Sequence, residues 1–126
     1  MRGLLSAFLF VHAISHVPGF AVPWRLMTSA DLPYRTTLFN GSLDLGAAGI
    51  RVAGIVWLAL AVAFAVVGIG LLAHTSWWFS GLLTLIAASV VLCLTQLPDA
   101  QLGLLANGVI LILLLIGMGF SGLTVP

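Results

Sequence analysis

The sequence predicts an all-α integral membrane protein: a four-helix bundle with one long polar loop between the first and second helices. Two observations support this. Of the 126 residues, 62% are hydrophobic and 6% are charged, and the mean hydropathy is +1.27, whereas about a quarter of the residues in a soluble domain are charged. An ionised side chain at the centre of a bilayer costs at least ~2.5 kcal/mol, so the few Arg and Asp residues indicate where the chain leaves the membrane.

The first predicted helix covers residues 3–22 and follows Arg2. This basic start and the apolar run after it are shared with secretion signals. His12 and His16 interrupt the apolar run, however, and no small-residue cleavage pattern follows them, so we interpret the segment as an uncleaved membrane anchor.

Residues 23–46 form the one long connection and contain four of the charged residues: Arg25, Asp31, Arg35 and Asp44. Within it, an Asn40-Gly41 pair lies between apolar residues, a pattern typical of a small β-hairpin or a surface turn. A structureless loop of this length is uncommon, so the segment either has a function of its own or caps the bundle.

The second and third predicted helices share one uncharged stretch, residues 52–98. As a single helix this stretch would be about 70 Å long, more than twice the thickness of a ~30 Å hydrocarbon core, so it must turn back once. The polar residues 74–76 supply the turn, and the Trp77-Trp78 pair after them is expected at the membrane interface. The helices are therefore predicted at 47–73 and 77–97.

The fourth predicted helix covers residues 102–123 and is joined to the third by a tight turn, so that the two form an antiparallel hairpin. Pro98 ends the third helix and Asp99 is placed to cap the fourth. The only cysteine, Cys93, has no partner in this chain for a disulfide bond and is interpreted as apolar packing. The whole chain is thus one domain, 1–126.

The expected partners are the lipid bilayer and, through small residues, another membrane protein. Pairs such as Ala59 and Ala63, four residues apart in the second helix, allow close helix contact, either within the bundle, in a homodimer or in a larger membrane complex. A net charge of +1 gives no reason to expect nucleic acid. The long-loop side carries more arginines than the other side, which places that loop in the cytoplasm.

The polar residues within the helices predict a one-sided polar cavity below the long loop. His16, Arg51 and Asn107 each lie four to six residues inside a helix end on that side, a depth of roughly 6–9 Å. His12 lies one turn deeper on the same face as His16. The candidate ligand-binding residues are His12, His16, Asp44, Arg51, Gln96 and Asn107.

Three functions are compatible with such a cavity. The first is binding of a lipophilic ligand, such as a quinone or a lipid, with proton transfer by a His and charge stabilisation by Arg51 as the chemistry if it is an enzyme. The second is a non-catalytic accessory or scaffold subunit of a larger membrane complex. The third is a metal or tetrapyrrole (haem-like) site on His12 and His16, which have the i, i+4 spacing of paired ligands.

Three stretches carry a family resemblance: HAISHVPGF at 12–20, DLGAAGIRVAGIVWLA at 44–59 and LPDAQLGLLANGVIL at 97–111. Their pattern resembles the DoxX-like small bacterial four-helix membrane proteins, across the whole chain. The resemblance implies a location in the bacterial cytoplasmic membrane, and an accessory redox role linked to quinone, as for some members of the group. There is a fainter likeness to sterol-isomerase-type four-helix domains, from which this chain departs because it lacks an intramembrane Glu.

Overall fold

The structure is a computed structural model and describes residues 1–120, without the side chain of Phe120, and residue 123. The elements in chain order are α1 (Arg2–Ser15), α2 (Val17–Ala21), β1 (Thr37–Leu38), β2 (Leu43–Asp44), α3 (Gly46–Leu72), α4 (Trp78–Thr95) and α5 (Gln101–Phe120). The predicted helical fold with its four long helices is confirmed, with α1 and α2 together forming the first. The last residues of the predicted fourth helix lie outside the described ones.

The bundle is held together by apolar seams with coiled-coil-like spacing. In α3 the buried residues alternate at intervals of four and three: Ile50, Gly54, Trp57, Ala61, Phe64, Gly68 and Leu71. Such a stripe faces one neighbour along the whole helix. It packs against α1, and contacts of α3 with α4, α4 with α5 and α5 with α1 close the ring.

The core of the bundle lies in the half away from the long loop. Its fully buried members include Leu5, Leu9, Phe64 and Leu82. Close contact between α1 and α3 is fixed there by the Ser6 hydroxyl, which donates to the carbonyl oxygen of Gly68 at 3.1 Å. Apart from Ser6, the buried polar side chains of the described residues, His12, His16, Ser89 and Asn107, lie in the other half.

The first helix is interrupted at His16, between α1 and α2. The His16 N–H donates to the carbonyl oxygen of Ala13 at 3.2 Å instead of to that of His12, and Pro18 lacks the N–H that would bond the carbonyl of Ile14. The carbonyl oxygen of His12 is instead satisfied by two side chains, the Ser15 hydroxyl at 2.6 Å and the His16 ring nitrogen Nδ1 at 2.8 Å. The interruption therefore turns a histidine side chain into a substitute for a backbone donor.

The turn predicted at residues 74–76 is confirmed, and it has a Schellman-type geometry. His74 has a positive φ of 55°, and Thr75 N–H donates to Gly70 at the end of α3. The two tryptophans expected at the membrane interface differ in their surroundings. Trp77 is exposed, but Trp78 is completely buried in the core, because it opens the buried stripe of α4.

The α4–α5 hairpin depends on a close approach at Gly103. A Cβ atom at this position would lie 2.7 Å from the sulfur of Cys93, which is closer than any ordinary contact. In the connecting turn, the Asp99 carboxylate forms a 3.4 Å ion pair with Arg35 of the long loop. Asp99 thus ties the loop to the hairpin, a contact that the predicted capping role did not include.

The long loop is folded over one end of the bundle. The predicted β-hairpin around Asn40-Gly41 is confirmed: β1 and β2 pair antiparallel, and Phe39 N–H donates to the carbonyl of Thr95 at the end of α4 at 2.7 Å. The segments Pro23-Trp24-Arg25 and Pro33-Tyr34-Arg35 contact each other, since the Arg25 guanidinium lies 4.8 Å from the centre of the Tyr34 ring. The loop is therefore a cap of defined structure.

Four helices of the described chain are long and apolar enough to cross a membrane: Arg2–Ala21, Gly46–Leu72, Trp78–Thr95 and Gln101–Gly119. Their outward faces carry large apolar side chains such as Val11, Ile14, Val62 and Leu115, each more than half exposed. A surface of this kind is suited to hydrocarbon, since contiguous apolar surface is rare on soluble monomers.

Candidate functional site

A buried polar cluster lies in the half of the bundle nearest the long loop. It comprises His12, His16, Ser89 and Asn107, none of which is more than 2% exposed. The four residues come from the α1–α2 break region, α4 and α5, and each occupies the buried face of its helix. Polar groups this deeply buried are expected to be hydrogen-bonded to one another.

A directed chain of hydrogen bonds runs through this cluster. A backbone carbonyl can only accept, so the 2.8 Å contact between His16 Nδ1 and the His12 carbonyl oxygen places the proton of neutral His16 on Nδ1. His16 Nε2 is then an acceptor, and the Ser89 hydroxyl donates to it at 3.2 Å. Ser89 Oγ in turn accepts from Asn107 Nδ2 at 2.9 Å. The cluster therefore has a defined proton arrangement across three helices.

Asn107 is oriented by a second bond, because its Nδ2 also donates to the carbonyl oxygen of Gly103 at 2.9 Å. This leaves Asn107 Oδ1 as the free end of the amide. Neither this oxygen nor the ring nitrogens of His12 have a hydrogen-bond partner among the described residues.

Aromatic rings surround the two histidines. The His12 and His16 rings are perpendicular to each other with centroids 4.5 Å apart, and Phe64 lies 4.8 Å from His12 and 5.3 Å from His16. Trp57 lies on the other side of His16 at 5.2 Å. Both histidine rings are therefore packed against aromatic faces inside the bundle.

Several buried polar atoms around these rings have no hydrogen-bond partner among the described residues: His12 Nδ1 and Nε2, Trp57 Nε1 and Asn107 Oδ1. Leaving such an atom unpaired costs about 1–3 kcal/mol. Buried polar atoms of this kind are satisfied in proteins by ordered water or by a polar group of another molecule.

A cavity of about 340 Å³ reaches the cluster from the loop side. His16 and Trp57 form its inner end, and Pro18 of α2 and Ala106 of α5 form its walls. Asp31 in the long loop contributes to its outer end. The loop that caps the bundle is thus also the roof of the cavity.

Three of the residues predicted for the site lie outside the cluster: Arg51, Asp44 and Gln96. Arg51 is exposed, with its guanidinium 5.8 Å from the centre of the Trp24 ring, because it lies one position beside the buried stripe of α3. Asp44 is at the end of β2, where its carboxylate accepts the N–H of Gly46 at 2.9 Å. That bond, with a further one from Thr36, holds the pKa of Asp44 below its usual range.

Gln96 is close to the cluster's end of the bundle but belongs to a different, small cavity of about 30 Å³ beside the Arg35–Asp99 ion pair. Its Nε2 is buried without a partner among the described residues. The space is large enough for about one water molecule. Gln96 does not line the larger cavity below the loop, although Gly19, Leu32 and Asp99 line both.

Two residues of the site, Ser89 and Trp57, were not predicted from the sequence. Ser89 occupies the buried stripe of α4, which continues through Ile86 and Cys93, and a hydroxyl in such a stripe is the signal that would have identified it. Trp57 occupies the buried stripe of α3 in the same way. In an apolar sequence, helical spacing is the only clue to which face is internal.

The paired-ligand hypothesis for His12 and His16 meets a specific obstacle. Both ring nitrogens of His16 are already hydrogen-bonded, one to a carbonyl and one to Ser89. Within the described residues, no group of three or more His, Cys, Asp or Glu side chains is arranged to hold a metal ion. Of these two histidines, only His12 has ring nitrogens without a hydrogen-bond partner among the described residues.

Comparisons of this chain with protein-family models, with curated proteins and with solved structures find no match.

Proposed function

We propose that this chain is a small integral protein of the bacterial cytoplasmic membrane that binds a lipophilic ligand, quinone-like or lipid-like, in the cavity below its long loop. The observation that supports this most directly is a 340 Å³ cavity lined by His16 of the buried polar cluster and by Trp57, whose Nε1 has no partner among the described residues. An apolar space with a few convergent polar groups is the usual form of a small-molecule site.

The membrane location is supported by the four apolar helices and by the outward Val, Ile and Leu side chains. The bacterial setting and a redox-linked role come from the likeness to DoxX-like proteins in the three stretches described above. The cavity walls are built from the same stretches, since Pro18, Trp57 and Ala106 lie within them.

The test is to purify the protein in a mild detergent, record a native mass spectrum and extract the bound material for identification. Ala106→Phe places a ring in the cavity, and Ala88→Phe places the same ring on the exposed face of α4. We expect the wild type and Ala88→Phe to retain a lipophile and Ala106→Phe to lose it. A wild type that carries no ligand and takes up none from added lipid or quinone would refute the proposal.

One observation favours a second candidate, a non-catalytic subunit of a membrane complex. A groove of about 890 Å³ between α3 and α4 is lined by apolar and small residues, among them Ala59, Ala63 and Gly81. Small residues at such positions allow another helix to approach closely. A monomer in the native mass spectrum, with ligand bound, would favour the first candidate over the second.

The same sample tests the third candidate, a tetrapyrrole or metal centre on His12. A visible absorption band or a stoichiometric metal content would identify it, and either would replace the quinone-like or lipid-like ligand in the proposal.

A further inference from the structure

We infer that Arg51 and the groove between α3 and α4 form a binding site for an anionic phospholipid, with its phosphate at Arg51 and one acyl chain in the groove. The inference rests on the membrane setting of the proposed function but not on its cavity, because Arg51 lines neither that cavity nor the small one beside Gln96. It follows from the depth of Arg51, from the groups around its guanidinium and from the shape of the groove.

Arg51 lies at the level expected for lipid head groups. The exposed Trp77, which packs beside Gly70, marks the interface at the far end of α3. The α3 helix has 27 residues, whereas a hydrocarbon core of ~30 Å is crossed by about 20 residues at ~1.5 Å each. Counted back from Leu72, the part of α3 inside the hydrocarbon is about residues 53–72. Arg51 is then about 3 Å outside the hydrocarbon, within reach of lipid phosphate.

The guanidinium of Arg51 is available to an anion. It lies 5.8 Å from the centre of the Trp24 ring, and the Trp24 indole N–H donates to the Arg51 carbonyl oxygen at 3.1 Å, so the indole supports the side chain from one side. Within the described residues Arg51 has no ion pair, in contrast to Arg35, which is paired with Asp99. Its N–H groups can therefore bind a phosphate in the bidentate geometry that a guanidinium favours.

The groove of about 890 Å³ begins one helical turn below Arg51. On α3 its lining starts at Ile55, which is four residues after Arg51 and therefore on the same side of the helix, and ends at Val67. This length is about 18 Å, close to the ~15 Å of hydrocarbon in one leaflet. Ala59 and Gly81 leave space between the two helices. The groove therefore fits one acyl chain that descends from a phosphate at Arg51.

The polar side chains of the groove are already hydrogen-bonded. The Ser80 hydroxyl donates to the Trp77 carbonyl oxygen at 3.1 Å, and the Thr84 hydroxyl donates to the Ser80 carbonyl oxygen at 2.9 Å. The groove thus offers van der Waals contact, which is all that an acyl chain requires. The charge at its upper end favours a head group with a net negative charge over a zwitterionic one, because the ammonium of the latter is repelled by Arg51.

The experiment measures binding of the first lipid molecule to the full chain in detergent by native mass spectrometry. The probes are dioleoylphosphatidylglycerol and dioleoylphosphatidylcholine, which have the same acyl chains. We expect the wild type to bind phosphatidylglycerol about 5-fold more tightly, which corresponds to the ~1 kcal/mol contributed by one arginine near anionic lipid. Arg51→Gln should bring this ratio to about 1. Ala59→Phe fills the groove and should weaken both lipids equally, so that the ratio is unchanged.

Two controls match these variants. Arg25→Gln removes the same charge from the same end of the bundle, but the Arg25 guanidinium lies over Tyr34, so the ratio should remain about 5. Ala88→Phe places the same ring on the exposed face of α4 outside the groove and should leave both affinities unchanged. Because Arg51 and Ala59 are exposed, their substitution leaves the packing of the bundle intact.

The outcomes are distinct. Equal binding of the two lipids by the wild type, or a preference that survives in Arg51→Gln or falls equally in Arg25→Gln, would overturn the inference. A dimer that Ala59→Phe dissociates would also overturn it, because a second copy then occupies the groove. The ligand of the cavity is identified separately by its loss in Ala106→Phe and should be retained in Arg51→Gln. If the cavity holds no ligand and the lipid ratios are as expected, the proposed cavity function fails and this inference stands.

Discussion

Ser89→Ala is the sharpest test of the buried cluster, because Ser89 Oγ carries two of its bonds. Removing the hydroxyl leaves His16 Nε2 without a donor, whereas Asn107 Nδ2 keeps its bond to Gly103. One orphaned buried acceptor costs about 1–3 kcal/mol, and helix-to-helix hydrogen bonds in membrane proteins average about 0.6 kcal/mol. We therefore expect a loss of about 1–2 kcal/mol in the free energy of unfolding.

The assay is unfolding by SDS in mixed micelles, followed by circular dichroism. Ser80→Ala is the matched control, because Ser80 is exposed on the same helix and donates only to the nearby Trp77 carbonyl, so its effect should stay within about 0.5 kcal/mol. Equal effects from Ser89→Ala and Ser80→Ala would show that the chain of hydrogen bonds through α4 is wrong.

Three further predictions concern the packing and the loop side. Gly103→Ala should destabilise the α4–α5 hairpin, because its Cβ would meet the Cys93 sulfur at 2.7 Å, and adding Cys93→Ala should recover most of the loss in SDS unfolding; no recovery would contradict the close approach. Arg51→Ala should leave retention of a copurifying ligand unchanged, since Arg51 is exposed; loss of the ligand would return Arg51 to the site. Asp44, whose pKa is lowered chiefly by the Gly46 N–H, contributes stability that is present above its unfolded pKa of about 3.9 and lost as pH falls through the lower folded value. Asp44→Asn should therefore weaken the fall in melting temperature between pH 5 and pH 2, and identical pH responses would refute this role.

The depth of each polar residue along the bundle could be predicted from the sequence, but its direction around the helix was harder to derive. Arg51 was assigned to the site because it lies at the same level as His16 and Asn107. The structure turns it outward, since the buried stripe of α3 passes through Ile50 and Gly54 and residue 51 is rotated about 100° from the first of these. In a helix that is apolar on every side, composition does not mark the inner face.

The elements that were predictable have strong local signals. The charge-free stretch was too long for one span, the Asn40-Gly41 pair marked a hairpin, and Pro98 marked a helix end. The interruption at His16 was harder to predict, because there the backbone N–H of His16 bonds to Ala13 and two side chains satisfy the carbonyl of His12. The ion pair between Arg35 and Asp99 joins segments distant in sequence, and no local pattern indicates such a contact.

The cavity lies between α2 and the start of α5, under a loop held in place by Phe39 and Arg35. This position determines how the affinity of the protein for its ligand must be expressed. In the proposed membrane setting, a lipophile reaches it from the hydrocarbon between helices and is already concentrated there. The relevant dissociation constant is then a mole fraction in lipid, and occupancy responds to the ligand-to-lipid ratio and not to the aqueous concentration. A few hydrogen bonds suffice for selection, because the surrounding bilayer has already removed the ligand from water.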